Sequence, residues 1–64
     1  MLGNWELFAV ARRLIDEHGP EAADAALRRA DDMAQRGDLD GEAVWLAIGR
    51  KIELMFANPS GLPN

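Results

Sequence analysis

Apolar residues recur along this chain at helical spacing in three runs, and residues that cannot continue a helix separate them. His18-Gly19-Pro20 divides the first run from the second, and Gly37-Asp38 divides the second from the third. The pattern predicts an all-α, compact three-helix bundle, with helices at about 5–18, 20–36 and 39–57 and one domain over 1–57. At about 100° per residue, Leu7, Phe8, Val10, Ala11, Leu14, Ile15 and His18 share one face of the first helix, opposite Glu6, Arg12, Arg13, Asp16 and Glu17. Asn4 is the predicted N-cap, and Gly19 supplies a left-handed C-terminal position. The second helix opens on Pro20 and turns Ala23, Ala26, Leu27, Ala30, Met33 and Ala34 inward, an alanine seam that lets helix axes approach closely. Asp24 with Arg28 and Asp32 with Arg36 are i,i+4 pairs on its solvated side.

Asp38 is the predicted N-cap of the third helix, whose inward arc holds Gly41, Val44, Trp45, Ile48, Ile52, Met55 and Phe56. Glycine at 41 suggests close passage of another backbone. Trp45 and Ile48 are expected to meet Leu14 and Ile15 across the alanine seam. From Asn58 onward, Pro59, Gly61 and Pro63 preclude a helix, and 58–64 is read as a short, disordered C-terminal tail. Some apolar residues are left over. Trp5 lies off the first stripe, Leu46 and Leu54 lie on the far side of the third helix, and Phe56 sits at its end. These four form the candidate interaction surface.

Size sharpens the meaning of that surplus. Sixty-four residues, 48% of them hydrophobic but eleven of them alanine, make a small core. Domains this small typically retain only ~3–5 kcal/mol of stability and often add disulfides, metal or oligomerisation. The chain has no cysteine, so disulfides and thiolate metal sites are excluded, and self-association is the remaining common device. No run approaches the roughly 20 apolar residues of a membrane span, and no leader pattern precedes the first helix, so the expected setting is the cytoplasm. Eleven acidic against seven basic residues give a net charge of −4. That balance disfavours nucleic acid and anionic lipid as partners.

Candidate chemistry is sparse. His18, the only histidine, sits where it can meet the last carbonyls of the first helix and the negative end of its dipole. Asp38, Asp40, Gly41 and Glu42 superficially resemble a calcium loop. Aligning Gly41 with that loop's glycine puts Arg36 at the first ligand position and Ala47 at the last, so helix capping is the reading adopted. The single serine, Ser60, falls in the tail, and there is no threonine, tyrosine or cysteine to act as a nucleophile. The expectation is therefore no enzyme, no metal, no cofactor and no small-molecule substrate. A helix-turn-helix DNA reader is disfavoured too, because its recognition helix would begin with Asp38, Asp40 and Glu42 against phosphates.

The pattern Leu14-Ile15-x-x-His18-Gly19, followed by Ala30-Asp31-x-Met33-x-x-x-Gly37-Asp38-x-x-Gly41-x-x-x-Trp45-x-x-Ile48-x-x-x-Ile52, resembles a set of short uncharacterised helical proteins from alpha-proteobacteria. The matched positions are caps and core. The resemblance therefore implies a bacterial helical fold and no activity. Two function classes follow from the residues. One is a small protein-interaction or regulatory module, self-associating as a homodimer through the third helix and Trp5 or meeting another protein there. The other is an acidic inhibitor or decoy, encoded by a mobile element, acting on a nucleic-acid-binding defence enzyme.

Overall fold

The computed structural model describes residues 3–57, so the expected tail at 58–64 lies outside the described residues. Three helices, α1 (Asn4–His18), α2 (Ala22–Gln35) and α3 (Leu39–Ala57), form the expected bundle, with a single 3-10 turn, Gly19–Glu21, between the first two. There is no strand among the described residues.

The start of α1 differs from the sequence expectation. Gly3, not Asn4, is the N-cap; its backbone is extended, its N–H donates to Glu6 Oε1 at 2.7 Å and its carbonyl accepts from the Leu7 N–H. Glu6 decides the matter, because a glutamate three residues after the cap can reach back to it, and counting from Asn4 would put Leu7 in that place. Asn4 is thereby released from capping. Its Oδ1 accepts a hydrogen bond from Lys51 Nζ at 3.2 Å, which ties the first turn of α1 to α3.

At the other end Gly19 takes φ +60°, in the region L side chains avoid. Pro20 then follows in the 3-10 turn, closed by the Ala22 N–H donating to the Gly19 carbonyl, so α2 proper begins two residues later than expected. The junction of α2 and α3 is tighter. Gly37 (φ +77°) donates to the Ala34 carbonyl and Asp38 N–H donates to the Met33 carbonyl, the paired bonds of a Schellman motif. The same Asp38 then caps α3: its Oδ1 accepts from the Gly41 N–H at 2.9 Å and its carbonyl accepts from the Glu42 N–H.

That junction sends α3 back antiparallel along α2, as successive neighbours show. Met33 lies beside Gly41, the Arg29 guanidinium lies 5.0 Å from the centre of the Trp45 ring, and Ala26 lies beside Gly49. α1 adds the third side. Its Ala11 and Leu14 join Ala22 and Ala26 from the start of α2 and Ile48 and Ile52 from the second half of α3 in one buried cluster. Ile15, Val44 and Trp45 pack against that cluster, so the helix 1 to helix 3 contact expected from the sequence forms, with the tryptophan at its margin.

Two inward stripes are rotated from the sequence reading. In α2 the buried line is Ala22, Ala26 and Ala30, and Leu27 turns out to be exposed on the shoulder above Gly49. In α1 the buried face centres between Ala11 and Leu14, which leaves Phe8 and His18 exposed. No neighbouring backbone passes close to Gly41; the glycine of α3 that is buried against α2 is Gly49, beside Ala26 and Leu27. A side chain at 41 would meet the Asp38 carboxylate and the Met33 sulfur, so that glycine makes room for a cap.

Candidate interaction surface

Among the described residues the fully buried core holds seven hydrophobic residues, four of them alanine, and only Leu14, Ile48 and Ile52 are large. Against these stand seven large apolar side chains left exposed: Trp5, Phe8, Leu27, Leu39, Leu46, Leu54 and Phe56. Scattered exposed leucines are ordinary on any protein. Seven beside a core of three large, fully buried side chains and six partly buried ones, Leu7, Val10, Ile15, Val44, Trp45 and Met55, is a sizeable surplus for so small a domain.

All four residues singled out from the sequence are exposed, Trp5 at 75%, Leu54 at 61%, Phe56 at 46% and Leu46 at 45%. The structure brings two of them together. Leu46 and Leu54 share the outer face of α3, turned away from α1 and α2, whereas Phe56 falls nearer its packed edge and Trp5 projects from the first turn of α1. Trp5 does not fold back over the helix end. Leu39, 70% exposed, joins the α3 face and was missed by the sequence reading, which treated it as the helix boundary. Its spacing of seven residues from Leu46 was the available signal.

The polar surface is mostly spent on local structure. Arg12 pairs with Asp16, Arg13 with Glu17 and Arg36 with Asp32 at 3.0 to 3.4 Å, all exposed i,i+4 contacts of small energetic value. The expected Asp24–Arg28 pair is not formed among the described residues. One shallow depression of about 330 Å³ lies between the end of α1 and the side of α2, lined by His18, Ala25, Arg28, Arg29 and Asp32. None of these side chains is buried, Asp32 already pairs with Arg36, and Arg29 stacks on Trp45, so the depression has a positive wall but no enclosed space in which to orient a substrate.

Among the described residues no three His, Cys, Asp or Glu side chains gather closely enough to hold a metal ion. The Asp38 carboxylate, central to the calcium-loop comparison, is engaged with Gly41 as a cap. No helix among the described residues is long and apolar enough to cross a membrane. No family model, curated protein or solved structure matches the chain.

Proposed function

We propose that the protein is a small, non-enzymatic interaction or regulatory module that works through protein contacts, its own copy included. The observation that carries this reading is that seven large apolar side chains stand exposed on so small a domain, three of them, Leu39, Leu46 and Leu54, on one face of α3. A bacterial cytoplasm is the setting the reading assigns, supported by the resemblance to short alpha-proteobacterial proteins. The acidic-decoy alternative has the net charge of −4 behind it. It has less support from the surface, where Asp16, Glu17, Asp31 and Asp32 are engaged by arginines or Gln35 on their own helices.

Affinity capture from a lysate of the host tests the proposal, with the parent chain run beside Trp5→Glu and Leu54→Glu variants of unchanged helicity. Proteins held by the parent and lost from either variant support it. An identical captured set from all three baits, an empty one included, overturns it. A nucleic-acid enzyme retained by both variants but lost on Asp31→Asn with Asp32→Asn establishes the decoy reading in its place.

A further inference from the structure

We propose that the outer face of α3 pairs antiparallel with the same face of a second copy, about a two-fold axis passing between Leu46 and Ala47. This rests on the interaction reading above and names the partner of one part of that surface. Helices apolar on one stripe bury one face; helices apolar all round are buried all round. α3 falls between the two, carrying a second apolar strip flanked by Asp40 and Lys51 on one side and by Glu42 and Glu53 on the other. Opposite its packed side, Leu39, Ala43, Leu46, Ala47 and Leu54 are exposed within about 100° of the helix circumference, and Arg50 is the one charge among them.

The face is complementary to itself in a single register. With the axis between Leu46 and Ala47, the two copies of Leu46 meet at the centre and Leu39 of each chain faces the partner's Leu54. Arg50 then lies over the partner's Ala43. A methyl group leaves room for the arginine stem, and the adjacent Glu42 of the partner receives the guanidinium at the edge of the contact. Neither Arg50 nor Glu42 makes a side-chain ion pair or hydrogen bond within its own chain among the described residues. The lone charge on the apolar face thus gains an opposite charge across the antiparallel pair, and closed two-fold symmetry supplies that contact twice. At 1.5 Å per residue the contact line is about 28 Å long and one helix wide, which falls short of the roughly 1,200–2,000 Å² of a standard stable interface. The pairing is therefore weak and governed by concentration in the micromolar range.

Light scattering coupled to size exclusion, on the full chain from about 10 to 500 µM, should show the mass rise from 7.0 kDa toward twice that value. Arg50→Glu and Glu42→Arg should each weaken dimerisation about tenfold, and the double charge reversal should restore it to within about threefold, with helicity unchanged throughout. Because the chain has no cysteine, single replacements report the register. Leu46→Cys should cross-link to its own copy under mild oxidation at least about tenfold faster than Leu39→Cys, whose two copies lie about 22 Å apart along the paired helices. A parent that stays at 7.0 kDa over the whole range overturns the homodimer, while a capture result lost in Trp5→Glu leaves the interaction reading standing by itself. Equal cross-linking at 39 and 46, or failure of the double reversal to rescue, overturns the antiparallel register.

Discussion

Replacing Gly49 by alanine should stabilise the protein. The glycine is buried in the middle of α3 with helical backbone angles, so nothing in its own conformation requires the absence of a side chain. A glycine-to-alanine change in a helix interior gains about 1 kcal/mol, largely by restricting the unfolded chain. The packing surface decides whether that gain survives. A Cβ at position 49 would stand 3.4 Å from Leu27 Cδ2 and 3.5 Å from Ala26 Cβ, both ordinary van der Waals separations, and Leu27 is an exposed side chain free to give way. The net expectation is about +1 kcal/mol, which for a domain of this size raises the melting temperature by about 4–8 °C. Gly41→Ala is the control. There the new Cβ would lie 2.7 Å from Asp38 Oδ2 and 2.9 Å from Asp38 Cγ, so the cap must open, and a cap worth about 1 kcal/mol cancels the helical gain. Urea and thermal melts followed by circular dichroism at 10 µM or below keep association out of the comparison. A melting point for Gly49→Ala at or below that of the parent, or equal gains at 49 and 41, would refute the argument that α2 and α3 leave room for a methyl group at Gly49.

Ile52 is completely buried, so Ile52→Ala should cost about 2–5 kcal/mol and leave the chain largely unfolded at room temperature, as circular dichroism would show. Trp45 stands at the core margin under Arg29, and Trp45→Ala should cost less, about 2–3 kcal/mol, giving a broad, shifted urea transition with residual structure in water. Gly37→Ala forces an L residue to φ +77°, and Asp38→Ala removes a cap; each should cost about 1–2 kcal/mol in equilibrium melts and, in stopped-flow refolding, slow folding more than it speeds unfolding.

Punctuation made the fold legible. Gly19, Pro20, Gly37 and Asp38 mark element ends by local chemistry, and the structure uses each as its residue type dictates. The rotation of each helix was less legible because it depends on neighbours. Six alanines, one leucine and one methionine make the period of α2 nearly featureless apart from its charges, so a shift from Leu27 toward Ala22 costs the pattern little and is decided by Gly49 on another helix. Gly41 and Gly49 look alike in the sequence, yet one accommodates a carboxylate and the other a helix. The candidate surface was partly visible because Leu46 and Leu54 cannot share an arc with Ile48 and Ile52. Leu39 escaped notice because an apolar residue at a helix start belongs to no stripe until the whole helix is assembled.

The double use of Asp38 has a kinetic consequence. Closing α2 and opening α3 through one residue puts the two helices in contact across a three-residue link, as short as the Gly19–Glu21 link between α1 and α2, so loop-closure entropy and contact order are low there. Their pairing therefore proceeds as a local event. α1 reaches α3 through contacts such as Asn4 with Lys51, 47 residues apart, which gain nothing until the hairpin already exists. The long-range contacts of α1 with α3 are therefore expected to form after those between neighbouring helices. Native-state hydrogen exchange should show the same hierarchy in reverse, with α1 less protected than α3, because only the loss of α1 uncovers Ile48 and Ile52 while leaving the cap shared by α2 and α3 intact.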